Sequence, residues 1–471
     1  MRLKLASLAL CWLLADAPMD LVHQQIAAHP GQSGAYVLDT GDEALIARAW
    51  LADHARTSID AQYFIWSTDN IGILAAESLL RAAERGVRVR VIVDDLMMSA
   101  PAKNLLALDR HPNIDIRIYN PKWSDLTLRG LNQRMHDKVL VVDGVVAITG
   151  GRNMAGEYYD YSHEYNFRDR DALVVGDVVR TMQASFERFW KSELSVKVED
   201  LFHDVKEVKV DEIYRTLHRY ASAPENFAPS VRAAIDSAPK AFPRLTREIV
   251  WGDVEFIGDR PGKNESVLGM GGGGLTTAAL ARLVEGARER VVIQSPYLVL
   301  SAEAKALFRR ARARGVRVRI DTNSLASTDN LQAFSGYRNQ RAELLAMGLE
   351  IFEFKPRGTR PIVGLHAKTM VVGIASRIAN DDDMIARLQR LARDALTAEC
   401  SAAAPFDGIA NGLALFILAF NVDERMRIAE QELHQIAFDF FLLVLKVGCG
   451  ERMVGLQLNA RQGYQCRSGN D

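Results

Sequence analysis

Two tripeptides hold residue types that can attack and stabilise an anionic centre: His136-Asp-Lys138 and His366-Ala-Lys368, 230 residues apart (366 − 136). An imidazole, with an unperturbed pKa of about 6.5, can act as nucleophile or as acid and base. A lysine ammonium beside it supplies positive charge. Residues i and i+2 of a strand point to one face, so each His projects with its Lys. The first run continues through Val139–Val142, Asp143-Gly144 and Val145–Thr149 to Gly150-Gly151-Arg152-Asn153. This pattern predicts two strands joined by an Asp-Gly hairpin. It closes on small residues that let backbone approach a phosphate and on Asn153 as a donor.

A single His-x-Lys would carry little weight. Its weight comes from the elements around it, which recur at nearly the same offset. Ser78 to Asp95 and Ala306 to Asn323 each read as an Ala- and Arg-rich helix, a glycine and a β-branched strand. Gly86 and Gly315 fall where a helix C-cap needs positive φ, and the alternating Val and Arg that follow have strand period. Ile59–Ile65 matches Val291–Tyr297, and Asn113–Pro121 matches Gly348–Pro356, with offsets of 229 (315 − 86) and 235 (356 − 121). A repeat this long is a duplicated domain. Strand–helix–strand units imply an α/β fold. The expected architecture is two similar lobes, each a mixed sheet flanked by helices, about a pseudo-twofold axis with a cleft between them.

His-x-Lys-x4-Asp followed by Gly-Gly-Arg-Asn resembles the signature of the phospholipase D superfamily. Ala61–Trp66, Thr322–Leu325 and Leu365–Lys368 are similar to its bacterial cardiolipin synthase branch, and the likeness runs from about residue 28 to residue 372. The resemblance implies that His136 attacks a phosphodiester phosphorus and forms a phosphohistidine. His366 would then protonate the leaving alcohol and deprotonate the incoming one. Lys138, Lys368 and Asn153 would stabilise charge on the non-bridging oxygens. Asp143, the motif's third letter, is expected to organise the hairpin without touching substrate. Asp169 matches an acidic position that would orient the opposite lobe's histidine, with Glu164 as its rival.

The resemblance stops in mid-motif. Gly373 stands where the second motif's Asp belongs, and counting as in the first lobe puts Asp381 and Asp383 at the Gly151 and Asn153 positions. Carboxylates there would repel a phosphodiester. Asp383 to Leu396 has an amphipathic helical pattern with an Asp cap, and Asn421 to Ile436 is expected to be helical too. The expected division is therefore a signal-like or anchoring segment at 1–17, a first lobe at 18–196 and a connector at 197–260. An incomplete second lobe follows at 261–373, then a divergent, mainly helical tail at 374–471. A switch inside a motif favours a frameshift or fusion over a tail that covers the sheet edge or docks on a membrane.

Bulk properties narrow the choice further. A net charge of −1 gives no electrostatic case for nucleic acid. The cysteines, Cys11, Cys400, Cys449 and Cys466, leave the central body without a disulfide framework. A basic start, the apolar Leu5–Leu14 and Ala15-Asp-Ala17 describe either a secretory signal or a short packed helix. No run reaches the roughly 20 apolar residues of a membrane span. No His/Cys/Asp/Glu cluster has zinc spacing, so no metal and no cofactor is expected. Gly269–Gly274 spells G-x-G-x-x-G without a preceding strand and reads as a turn. His163, His203, His218 and His434 read as surface or core residues without partners. The resemblance implies phosphatidylglycerol-like phospholipid substrates, met at a membrane surface and peripheral to the bacterial inner membrane. Three functional readings remain: a phosphatidyltransferase, a hydrolytic phosphodiesterase, and a remnant with an impaired second site.

Overall fold

The computed structural model describes residues 17–121, 133–226, 248–262, 274–356, 361–374, 413–418 and 442–446. The first lobe contains β1 (Ser33–Leu38), β2 (Ser58–Trp66), β3 (Arg88–Met98), β4 (Ile114–Tyr119), β5 (Val139–Val142), β6 (Val146–Gly150), β7 (Tyr165–Arg168), β8 (Asp171–Gly176) and β9 (Ser195–Lys197). Beyond them come β10 (Val250–Ile257), β11 (Arg290–Gln294), β12 (Arg317–Asn323), β13 (Glu350–Phe354), β14 (Ile362–Leu365), β15 (Thr369–Ile374), β16 (Leu413–Leu418) and β17 (Leu442–Lys446).

Fifteen of these strands form one continuous sheet in which each lobe repeats the other. The first lobe reads β4-β3-β2-β5-β6-β8-β1, with β9 added antiparallel outside β4, and the second reads β13-β12-β11-β15-β16-β17-β10. The first three strands of each set run parallel and the rest pair antiparallel. The lobes meet where β1 pairs antiparallel with β10, Ser33 opposite Gly252. β10 lies within the stretch read as connector, so the lobe-joining strand shortens that connector. β7 and β14 stand apart as a two-stranded parallel sheet that crosses from lobe to lobe.

Local chemistry explains the repeated helix–strand unit. Asp69 caps the helix Asn70–Glu84 by accepting from Gly72 N at 3.0 Å, and Ser301 caps Ala302–Ala313 by accepting from Ala304 N at 3.2 Å. Both helices leave through glycines at positive φ, Gly86 at 92° and Gly315 at 85°. The strands that follow put Val89 and Val318 into the core, each without exposed surface. Helices covering both faces of the parallel strands explain why β2 is buried along nearly its whole length.

Two expectations meet the structure differently. The described part of the tail is strand, not helix: β16 and β17 are apolar runs that complete the ladder between β15 and β10. Short apolar runs bounded in this way have the sequence pattern of a strand, not of an amphipathic helix. The helices expected at 383–396 and 421–436 lie outside the described residues, as do residues 1–16, the four cysteines, His434 and Gly269–Gly273. His218 has partners after all. It bridges the connector helix Val210–Ser222 to Asn70–Glu84, with Nδ1 3.0 Å from Glu77 and Nε2 3.0 Å from Glu84.

Candidate active site

His136, Lys138, His366 and Lys368 are all buried, each 1–2 % exposed. The first pair enters the β5–β6 hairpin, whose Asp143 and Gly144 both take positive φ, 53° and 67°. Thr149 Oγ1 on the return strand donates to Lys138 O at 3.0 Å, which ties the hairpin together at its site end. Lys138 Nζ lies 3.0 and 2.9 Å from the two ring nitrogens of His136, and Phe64 packs 4.7 Å from that ring. Gln62 Nε2 donates to Asp137 at 2.9 Å behind the pair.

The second pair is assembled by both lobes. β14 pairs with β7 from Ile362 opposite Tyr165 to Leu365 opposite Arg168. The backbone N–H groups of His366 and Ala367 then donate to Arg168 O at 2.9 and 3.1 Å. The next residue of the first lobe, Asp169, lies with Oδ2 2.6 Å from His366 Nδ1. Phe167 and Tyr158 wall the imidazole at 4.5 and 5.3 Å, and Lys368 Nζ lies 2.8 Å from its Nε2. Burial and the neighbouring Lys368 ammonium lower the His366 pKa below 6.5, and Asp169 only partly opposes them. Burial pushes the Asp169 carboxyl up, but His366, Lys368 and Arg152 outweigh it and hold the group well below the carboxylate range.

The glycines of the Gly-Gly-Arg-Asn run leave room for two carboxylates. A Cβ on Gly150 would lie 1.7 Å from Asp171 Oδ1, and one on Gly151 would lie 2.1 Å from Asp169 Oδ1. The glycines are needed because two carboxylates occupy that space. Arg152 donates to the carbonyls of Leu38, Asp39, Tyr158 and Asp169, so it fastens the loop that carries Asp169. Asn153 Oδ1 accepts from Ile65 N at 3.1 Å, whereas its fully buried Nδ2 has no hydrogen-bond partner among the described residues. Asp143 sits at the far end of β5, where it accepts from the backbone of Arg56, Thr57 and Ser58. Glu164 is exposed and meets the second lobe through its carbonyl, which accepts from Ile362 N. The structure thus brings Asp169, His366 and Lys368 together, and leaves Asp143 and the Glu164 carboxylate apart from them.

A second link between the lobes escaped the sequence reading. Arg170 donates to Asp39 Oδ1 at 2.6 Å and to Gln294 Oε1 at 2.9 Å, and Thr369 Oγ1 donates to the same Gln294 oxygen. The available signal was that Gln294 occupies the position of Gln62 in the repeat.

Strand pairing also corrects the count that matched Asp383 to Asn153. Val139 faces Thr149 in the first lobe, and Thr369 faces Leu418 in the second, so Leu418 stands where Thr149 does. Likewise Leu38 faces Asp171 and Ile257 faces Leu442, so Leu442 holds the place of Asp171. Asp381 and Asp383 lie outside the described residues.

The family described as "Cardiolipin synthase, PLD-like domain" matches residues 51–190. Cardiolipin synthase C of Escherichia coli (strain K12) is 32 % identical over 388 residues, covering 76 % of this chain and 79 % of the relative. The chain belongs to the phospholipase D superfamily, in its cardiolipin synthase-like branch. An uncharacterized protein of Helicobacter pylori is 29 % identical over 74 % of this phospholipase D-like chain and 73 % of its own. The phosphatidylserine synthase structure of Haemophilus influenzae aligns with a TM-score of 0.48 at 12 % identity, over 75 % of this chain and 82 % of that one.

Proposed function

We propose that this chain is a phosphatidyltransferase of the cardiolipin synthase kind, working peripherally at the bacterial inner membrane on phosphatidylglycerol-like lipids. His136 attacks the phosphodiester phosphorus while the bond to the leaving glycerol oxygen breaks, giving a phosphatidyl–His136 intermediate. His366 gives its proton to that oxygen. The hydroxyl of a second phospholipid then returns a proton to His366, its oxygen attacks phosphorus, and the phosphorus–nitrogen bond breaks. With Nδ1 of His366 engaged by Asp169, these transfers fall to Nε2, which lies 2.8 Å from Lys368 Nζ.

The observation that carries this reading is the cross-lobe contact of His366 with Asp169 at 2.6 Å, because it joins a carboxylate of one lobe to the histidine of the other, as an acid–base pair built from both lobes would need. Two further features support it. The buried Asn153 Nδ2, without a hydrogen-bond partner among the described residues, is a donor suited to a non-bridging oxygen. The two lysines carry charge that a phosphodiester would draw from the imidazoles. Among the described residues no helix is long and apolar enough to cross a membrane, which suits a peripheral enzyme whose lipid comes to it.

The test is a quench of the protein turning over phosphatidylglycerol labelled at its phosphorus in vesicles. Wild type is expected to carry an acid-labile phosphoenzyme that His136→Ala lacks. His366→Ala should slow turnover by about 10²-fold or more while still forming the intermediate. Cardiolipin should be the product; phosphatidic acid alone would show that water is the acceptor. A phosphohistidine trapped on His366 would reverse the assignment.

A further inference from the structure

The peptide that joins Leu365 to His366 is held at both ends. Its N–H donates to Arg168 O of the first lobe at 2.9 Å, and its C=O accepts from Asn323 Nδ2 at 2.7 Å. Because the peptide is planar, these two bonds fix the orientation from which the imidazole projects toward Asp169. Asn323, the last residue of β12 and 1 % exposed, also accepts from Leu365 N at 2.8 Å. Its remaining bonds run to Pro296 O at 3.4 Å and from Ser327 Oγ at 3.1 Å. A side-chain amide has two N–H donors and two acceptor lone pairs, and here all four are used.

The first lobe grips the equivalent place with other chemistry. Asp94 is equivalent to Asn323 by the same 229-residue offset (323 − 94) as Gly86 and Gly315. Its Oδ2 accepts from the N–H of Met135, the residue before His136, at 2.8 Å, and its carboxylate pairs with Arg134 at 3.2 Å. A carboxylate only accepts, so it needs the neighbouring guanidinium. An amide both accepts and donates, so it holds N–H and C=O of one residue unaided.

We propose that Asn323 is the positioning residue of His366, setting the imidazole against Asp169 through the Leu365–His366 peptide. This rests on the reading of His366 as the acid–base group. The amide is not replaceable by a carboxylate, because an ionised oxygen would face the carbonyls of Leu365 and Pro296. A protonated carboxyl regains one O–H donor, so Asn323→Asp is a variant that pH can repair.

The experiment compares Asn323→Asp, Asn323→Ala and, as a control that spares both bonds to Leu365, Ser327→Ala. The first readout is the low-field proton resonance of the His366–Asp169 hydrogen bond. It should be present in wild type and in Ser327→Ala and absent from Asn323→Ala. In Asn323→Asp it should be absent at pH 8 and return at pH 5. The second readout is turnover relative to wild type. The Asn323→Asp ratio should fall about a hundredfold at pH 8, in kcat with KM little changed, and recover at pH 5. An unchanged resonance in Asn323→Ala, or an Asn323→Asp ratio independent of pH, overturns the proposal. Should neither Asn323 variant fold, wild-type deuterium exchange decides: Asn323 side-chain protons exchanging as fast as a free amide's would also overturn it. An inactive wild type with the expected resonances would instead sink the proposed function and leave the positioning role standing.

Discussion

His366 sits between opposing influences: burial and Lys368 favour the neutral ring, and Asp169 favours the charged one. The balance lies below 6.5, so the free protein at neutral pH holds His366 largely unprotonated. On the proposed function, a bound phosphodiester would bring negative charge next to Lys368 and so raise the imidazole pKa, coupling proton uptake to substrate binding. The sign follows. If protonated His366 is the acid, kcat/KM falls as pH rises through the lowered free-protein pKa, with its limb below pH 6.5. The corresponding limb in kcat lies at higher pH, because it reports the complex. Initial rates from pH 5 to 9 check this, and a kcat limb at or below the kcat/KM limb would refute the coupling. Lys368→Met should move the kcat/KM limb upward, since the removed ammonium is one of the two causes of the lowering.

Individual strands show how much of this site the sequence carries. The hairpin from His136 to Gly150 was legible because the Asp-Gly turn, the Val-rich strands and the His-x-Lys spacing all agree locally. The β7–β14 pairing was not, because four-residue strands with mixed side chains have no period to read. Asn323 and Asp94 left a signal, their common offset with Gly86 and Gly315, but a polar residue at a strand end has many uses. Asp321 is a case where strand pattern and chemistry conflict. It lies inside β12 at 3 % exposure with Oδ1 unpartnered among the described residues, at the position where the first lobe has the buried Ile92. Burial raises its carboxyl from 3.8 to about 6, against the Gln294 side chain and Arg319, which lower it. A folded pKa above the unfolded one gives stability that is present below 3.8 and lost as pH rises through about 6. Asp321→Asn is therefore expected to stabilise the second lobe at pH 8 by about 3 kcal/mol at most, and to change little at pH 4. Urea unfolding at both pH values checks it; an equal effect at pH 4 and pH 8 would refute burial of the charge as the cause.

For the molecule as a whole, the tail after residue 374 decides whether the second lobe is a closed sheet. Counting from the first lobe failed there because β6 begins four residues after β5 ends, whereas β16 begins 39 residues after β15 ends (413 − 374). The pairing nevertheless puts β16 and β17 in the places of β6 and β8, and so covers edges that β15 and β10 would otherwise expose to other chains. That closure is apolar. Leu418 cannot make the hydroxyl bond that Thr149 gives Lys138 O. Leu442 cannot be the carboxylate that Asp171 offers Arg48 at 2.9 Å and Arg152 at 3.4 Å. The sheet is therefore completed without the polar groups that stiffen the first lobe's site, and structure and activity should separate. Phe416→Pro, in the middle of β16, removes a ladder donor from a strand paired on both sides. It should destabilise the second lobe by about 3 kcal/mol or more and promote aggregation. Replacing residues 373 onward with a family-consistent ending should leave stability similar and raise cardiolipin synthesis about a hundredfold, the cost of a loosely held reacting group. Differential scanning calorimetry and vesicle product analysis at equal folded protein read the two arms. An unaltered melting profile in Phe416→Pro would remove β16 from the sheet, and equal synthesis with either ending would show the present tail to be a functional substitute.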